Sequence, residues 1–302
     1  MDTNSQNTCS GNAAWMAGKV GAFMHYLPRT PDNMDTAAAG FDVAGVVRQL
    51  VEMRVDWFCL TLGQNDGYFI APNDTYEALA EYPRASHCLA RDIPAEFIEA
   101  LRPHGIRFML YLTCQTPTRD PEAISKFGFG EDVRRGDRRL TAEGVAKWAR
   151  VIAEWSRRYG DGVSGWWFDG AYDYLGFGAD VARIYTEAVK TGNPRAVAAY
   201  NSGLDVPPQP GLGDFSAGEL DLPFEHDCHS LFAGKGMQWH VLTYLGDYWM
   251  KTNRRYEDGQ WRPWLADVLS RDGAVTLDMG HDFPSGLFDA AQAAQFRRIT
   301  EQ

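Results

Sequence analysis

The chain has 302 residues, enough for one large α/β domain or two small ones. Its 45% hydrophobic and 23% charged residues are those of a globular protein, and no apolar run is long enough to span a bilayer. A net charge of −11 without a basic patch excludes nucleic acid and anionic membrane as partners and leaves a neutral or cationic ligand.

Residues 1–14 are small and polar, rich in Asn, Ser and Thr, and read as a poorly structured tail. They lack the basic start and apolar centre of a signal peptide. The chain as it stands is therefore expected in the cytoplasm, or secreted or periplasmic if a leader has been removed. From 15 to 302, strand-like and helix-like segments alternate. Residues 20–26 form a first strand carrying His25 and Tyr26. Over 41–54, Val43, Val46, Val47, Leu50 and Val51 recur at helical spacing, with Asp42 as N-cap. Residues 55–62 are a second strand, 93–104 a helix with Pro94 in its first turn, and 106–113 a third strand. The stretch 116–140, with its Arg-Arg-Gly-Asp-Arg-Arg run, reads as an extended loop. A solvated face is the favoured role for it, with a cover over the site or a contact in a homo-oligomer as alternatives.

Residues 141–159 form a long helix with Val145, Trp148, Ala149, Ile152 and Trp155 on its apolar face. A fourth strand ends at Asp169, and a helix follows over 179–190. Residues 195–200 are a fifth strand; 220–225 are a weak sixth, because Pro223 argues against a central strand. A seventh strand over 239–245, a helix over 261–270, an eighth strand over 274–279 and a helix over 289–300 complete the chain. This alternation predicts an α/β fold, a single (β/α)8 TIM-like barrel over 15–302, irregular around strands five and six. An open doubly wound sheet is the alternative. No Gly-x-Gly-x-x-Gly follows an early strand, which weighs against a dinucleotide-binding version.

The segment Gly165-Trp-Trp-Phe-Asp169-Gly170 places a carboxylate at the end of a buried strand. An unpaired carboxylate inside a core costs several kcal/mol, so Asp169 belongs at the open end, as a catalytic group or as a helix cap. In a barrel, the C-terminal strand ends converge. Those positions hold His25, Tyr26, Gln64, Asn65, Asp66, Tyr111, Thr113, Trp167, Asp169, Tyr200, Asn201, Glu219, Glu225, Tyr244, Asp278 and His281. No helical His-x-x-x-His or Glu-x-x-His pair supports a metal site, no Gly-x-Ser-x-Gly elbow supports a serine hydrolase, and no cofactor motif is present. Paired carboxylates among aromatic rings remain, the equipment of a glycosidase. The ten Trp fit either core filling or stacking on sugar faces. Cys9, Cys59, Cys88, Cys114 and Cys228 are scattered without Cys-x-x-Cys spacing and read as reduced thiols.

Four segments resemble the catalytic domain of glycoside hydrolase family 29, the α-L-fucosidases. Gly21-Ala-Phe-Met-His25-Tyr26 resembles that family's Gly-x-Phe-x-His-Trp, and Gly165-Trp-Trp-Phe-Asp169-Gly170 its Trp-Phe-Asp-Gly. Gly213-Asp-Phe-Ser-Ala-Gly-Glu219 is similar to Gly-Asp-Tyr-x-Thr-Pro-Glu, and residues 270–280 to Ser-Lys-Gly-Gly-Asn-Leu-Leu-Leu-Asn-x-Gly. On the resemblance, this chain is expected to hold the catalytic domain and not the family's additional β-sandwich domain. The resemblance implies double displacement with retention on a carbohydrate substrate, with Asp169 as nucleophile. It implies Glu219 as first and Glu225 as second choice for the acid/base. His25, Tyr26, Gln64, Asn65, Asp66, Tyr111, Trp167, Asn201 and Tyr244 would bind the sugar, with no metal and no cofactor.

The chain departs from the family where fucose is read. His-His-Asp-Gly is replaced by Gln64-Asn65-Asp66-Gly67, and Asn-Asp-Arg by Asn201-Ser202-Gly203. Amides offer a different donor and acceptor pattern from imidazoles. A sugar or linkage other than a simple α-L-fucoside is therefore expected. The alternative from another class is a non-hydrolytic carbohydrate-binding barrel that kept the scaffold.

Overall fold

Alternate residues of the first strand, Val20–Met24 (β1), face opposite ways, and this alternation organises the molecule. Ala22 and Met24 join the layer shared with the helices, whereas Phe23 points inward. Six more strands follow in this computed structural model, which describes residues 12–301 apart from 116 and 135. They are Trp57–Thr61 (β2), Arg107–Thr113 (β3), Gly165–Asp169 (β4), Val197–Tyr200 (β5), His240–Tyr244 (β6) and Ala274–Asp278 (β7). All pair in parallel, in the order β5-β4-β3-β2-β1-β7-β6. Phe23, Trp57, Met109, Trp167, Val197, Leu242 and Ala274, one from each strand, meet in a single inner cluster, so the sheet curls around it. Both faces are buried, as a parallel sheet under helices requires.

The expected α/β alternation is present, but with seven sheet strands and not eight. The weak sixth strand over 220–225 does not form. Instead residues 213–220 lie between the two edge strands and hydrogen-bond to each side. Asp214 N–H donates to Ala198 O at 2.8 Å, Ser216 N–H to Gln238 O at 2.9 Å, Leu242 N–H to Gly218 O at 2.8 Å, and Leu220 N–H to Leu242 O at 2.9 Å. Isolated bridges replace a ladder because Gly213 and Gly218 adopt φ of +115° and +66°, which breaks the extended backbone.

Gly218 has a second constraint. A Cβ there would lie 1.9 Å from the His240 carbonyl oxygen. Gly218→Ala is therefore expected to cost more than the ~1–2 kcal/mol of the left-handed conformation alone. It should lower the midpoint of a thermal melt by several degrees and displace the adjoining Glu219.

Six amphipathic helices stand where their periodicity places them: Val43–Met53, Ile93–Leu101, Ala142–Tyr159, Ala179–Lys190, Asp258–Ser270 and Ala290–Thr300. Asp42, Thr141 and Asp289 accept the capping N–H bonds. Helices Pro31–Gly40, Asp74–Ala80, Pro121–Phe127 and Cys228–Phe232 were not foreseen, the first because only Met34 and Ala37 of its residues are buried and the others because they are too short to show a stripe. The third of these, with a hairpin of Asp132–Arg134 and Asp137–Arg138, gives structure to the stretch expected as an extended loop. Residues 1–11 of the expected tail lie outside the described residues. Ala13 and Met16, however, are buried in the inner cluster, and Trp15 meets Trp57 edge-on, so ordered structure begins before residue 15. Cys59, Cys88, Cys114 and Cys228 are buried free thiols; Cys9 lies outside the described residues. Among the described residues, no helix is long and apolar enough to cross a membrane.

Candidate active site

The two-residue period of β4 turns Trp166 and Phe168 toward the helices and sends Trp167 and Asp169 inward, Asp169 at the C-terminal rim. Register pairs Tyr111 with Trp167, and their rings stack with centroids 5.3 Å apart. Asp169 accepts three hydrogen bonds. Tyr111 O–H donates to Oδ2 at 2.6 Å, and Asn201 Nδ2 and the Gly170 N–H donate to Oδ1, each at 2.9 Å. Donors alone surround it, which suits an acceptor-only carboxylate. Gln64 Nε2 donates in turn to the Tyr111 hydroxyl oxygen at 2.8 Å. Burial first, then the Asp169 charge, pushes the Tyr111 phenol well above its ordinary range, so Tyr111 remains a donor.

Asn201, one residue beyond β5, is buried and bonds both carboxylates. Its Nδ2 lies 2.9 Å from Asp169 Oδ1 and 2.6 Å from Glu219 Oε2. Two oxygens that share one nitrogen can be no further apart than the sum of those bonds, so the facing oxygens of the two carboxyls are close neighbours, an arrangement compatible with the roughly 5–5.5 Å spacing of retaining pairs. The two acids differ in environment. Burial, and next the Asp169 charge, raise the Glu219 carboxyl from 4.5 to about 7, against the opposing pull of the Asn201 bond.

Glu219 belongs to no regular strand, so other side chains must hold its segment. Trp167 Nε1 donates to Ala217 O at 3.0 Å. His240, fully buried in β6, has Nδ1 at 3.0 Å from Ser216 O and 3.2 Å from Ala217 O, and Nε2 at 2.7 Å from Thr276 Oγ1. Carbonyls only accept, which assigns the proton to Nδ1 and leaves Nε2 to accept from the Thr276 hydroxyl. Thr276 Oγ1 accepts from Trp57 Nε1 at 3.0 Å and completes the chain. Burial lowers the His240 imidazole to about 4, so it stays neutral.

Opposite, His25 Nδ1 lies 3.1 Å from Asp278 Oδ1, and Asp278 Oδ2 accepts the Met250 N–H at 2.8 Å. The His25 ring meets Tyr111 at 5.5 Å and Trp249 at 5.2 Å; Trp249 meets Tyr244 at 4.6 Å. Tyr244 donates to Asp221, which also receives Arg255 Nη2 at 3.1 Å.

The structure thus brings together His25, Gln64, Tyr111, Trp167, Asp169, Asn201, Glu219 and Tyr244 of the residues expected to converge. Trp167 lies beneath the rim, with its indole N–H engaged by Ala217. Tyr26 falls on the opposite face of its strand, as period two dictates: it packs between Phe41 and Phe283 in the helix-side core. Asp66 pairs with Arg119 at 3.0 Å and Arg29 at 3.7 Å, and the Asn65 carbonyl accepts the Arg119 N–H at 2.9 Å, so this corner braces a loop. Glu225 is exposed, its N–H closing a turn onto Leu222. His240, Tyr172 and Trp249 were not foreseen. The Asp169 charge, and next burial, hold the Tyr172 phenol above its ordinary range, so Tyr172 lies within the field of that carboxylate. His240 was legible: it stands two and four residues before Leu242 and Tyr244 on one strand. Among the described residues no cluster of His, Cys, Asp and Glu could hold a metal ion.

An α/β protein with a curled, seven-stranded parallel half-barrel among the described residues, carrying two unlike carboxylates at its C-terminal rim, is the class that fold and site define. No family model and no characterised sequence matches the chain. Solved structures do match in fold. An endo-fucoidan hydrolase of glycoside hydrolase family 107 aligns over 98% of this chain and 54% of its own, with TM-score 0.72 and 17% identity. The chain therefore spans about half the length of that protein. The α-L-fucosidase isoenzyme 1 of Paenibacillus thiaminolyticus aligns over 97% of this chain and 75% of its own (TM-score 0.67, 16% identity). A family 29 α-L-fucosidase of Bacteroides thetaiotaomicron, trapped as a covalent intermediate, aligns over 95% and 72% (TM-score 0.65, 14% identity). Likeness at these identities is likeness of fold.

Proposed function

We propose that the chain is a retaining exo-glycoside hydrolase of the α-L-fucosidase-like type, working by double displacement. The observation that supports this reading is the single Asn201 nitrogen bonded to both Asp169 and Glu219, which brings the two carboxyls close together, as a retaining pair requires. In the first step, neutral Glu219 gives its proton to the leaving oxygen while an Asp169 oxygen attacks the anomeric carbon. The glycosidic C–O bond breaks and a glycosyl ester forms. In the second, Glu219, now a carboxylate, takes a proton from water as that water attacks the same carbon and releases Asp169. A carboxyl near 7 can serve in both directions at neutral pH.

The sugar proposed is not a simple α-L-fucoside. Gln64 stands where the family resemblance calls for a hydroxyl-reading histidine, and its amide is bonded to Tyr111. Asn201 is followed by Ser202 and Gly203 and not by an arginine. A site that lacks the donors for one hydroxyl pattern discriminates against it by large factors.

The test is a panel of aryl glycosides and glycosyl fluorides followed by proton NMR of the first-formed sugar. Release of the sugar with its starting anomeric configuration is expected for at least one of them, with α-L-fucoside a poor substrate. Release of the opposite anomer would overturn the mechanism. Binding without turnover across the panel would replace the reading by the carbohydrate-binding alternative.

A further inference from the structure

Apolar surface at the rim is concentrated on one side. Among the described residues, the large hydrophobics most exposed to solvent are Val51, Leu204, Val206 and Tyr248. Val51 lies near the end of the helix Val43–Met53 that leads into the N-terminal end of β2, away from the rim, but the other three occupy just two loops, those following β5 and β6. These loops flank the segment that carries Glu219. The first is tied to it directly: Asp205 N–H donates to Glu219 O at 2.9 Å, and Asp221 N–H donates to Asp205 Oδ1 at 3.0 Å. A side chain at Gly203 would touch both Val206 Cγ2, at 3.3 Å, and Tyr172 Cε1, at 3.8 Å, so both border that glycine, two residues after Asn201. The second loop reaches the site through rings. Tyr248, 59% exposed, meets Tyr244 at 5.8 Å; Tyr244 meets Trp249 at 4.6 Å, and Trp249 meets His25 at 5.2 Å. Tyr244 is further held by its bond to Asp221 and by Arg255 4.8 Å from its ring centroid.

An exposed tyrosine at the end of a braced row of rings is a rigid platform at small entropic cost, of the kind that stacks on the apolar face of a pyranose. Its position decides which sugar. The acid must protonate the oxygen of the departing group, so that group lies on the Glu219 side of the broken bond, away from Asp169. We propose that Tyr248, with Leu204 and Val206 across the Glu219 segment, forms the binding site for the leaving group, and that this group is a neutral sugar ring. The site is therefore built for a glycan carrying at least one sugar beyond the scissile bond. This rests on the assignment of Glu219 as the acid, and it deepens that assignment by naming the class of leaving group. A neutral ring also agrees with the acidic surroundings, in which Asp205 and Asp221 adjoin Glu219.

Calorimetric titration of the wild type, Tyr248→Ala and Tyr248→Phe with fucosyllactose, lactose and cellobiose tests it without requiring turnover. At least one of these is expected to bind the wild type. That affinity should fall about tenfold in Tyr248→Ala and be kept in Tyr248→Phe, which retains the ring. Equal affinity in all three proteins, or no binding of any of the sugars, overturns the platform. Should the panel of glycosides show no turnover while Tyr248→Ala still loses sugar binding, the hydrolase reading fails and the platform stands. Where turnover is found, kcat/KM for an oligosaccharide relative to the corresponding glycosyl fluoride is expected to fall about tenfold in Tyr248→Ala. An equal fall for both substrates would count against a leaving-group role.

Discussion

Asp169→Ala is expected to lower kcat on every substrate the wild type turns over by roughly 10^4-fold or more, the scale on which removal of a nucleophile acts. The side chain is the terminus of β4 and is fixed by three donors on two oxygens, so no neighbouring group stands ready to take its place at the anomeric carbon. The fold should survive, because Asp169 is only partly buried and the stacked Tyr111 and Trp167 beneath it are untouched. Added azide, small enough to enter the space left, should restore turnover and give a glycosyl azide of inverted configuration. A fluorinated sugar that traps the ester should label Asp169 in the wild type, read by mass spectrometry of the digested protein. Undiminished activity in Asp169→Ala, or a label on another residue, would remove Asp169 from the reaction.

Glu219→Gln is expected to separate substrates by leaving group. Where the departing group is a sugar that needs a proton, the rate should fall by roughly 10^2- to 10^4-fold. A fluoride leaves without such help and should be affected far less. In the wild type kcat/KM should decline as pH rises through about 7, because the acid is then ionised, and that limb should vanish in the variant. The same carboxyl governs stability with a definite sign. Its folded pKa of about 7 lies above the ordinary 4.5, so between those values the folded state holds a proton that the unfolded chain has released. Stability is thereby lost as pH rises through that window, by about 3 kcal/mol once it is passed. Glu219→Gln has no charge to bury. It should melt above the wild type at pH 8 and show no such advantage below pH 4. The same substitution at the exposed Glu225 should reproduce neither effect; if it did, the acid role would pass to Glu225.

The contrast between these two glutamates shows how far the chain could be read from its residues. Both follow the fifth strand, and spacing does not choose between them, although the family resemblance ranks Glu219 first. The choice depends on Asn201, whose single nitrogen reaches Glu219, and on Trp167 and His240, which hold the Ala217 carbonyl and so aim the segment. Those contacts join residues 18 to 50 positions apart in the chain. His25 and Tyr26 make the same point within one dipeptide. Both were expected at the rim, yet the pleat that sends one inward must send the other out.

By itself, the sequence determined the α/β alternation, the places of the long helices with Asp42 as the cap of one of them, and the position of Asp169 at the mouth of β4. These are local matters: hydrophobic periodicity, capping chemistry and the cost of burying a carboxylate act over a few neighbouring residues. The tertiary structure alone decided that seven strands form, with 213–220 lying between the edges, because two left-handed glycines and an unpaired proline segment are resolved only against both flanking strands. It alone decided that Gln64 braces Tyr111, and that Asp169 and Glu219 share one amide nitrogen. Such facts depend on distances across the inside of the curled sheet, where residues far apart in sequence meet and where removal from water raises the Glu219 carboxyl.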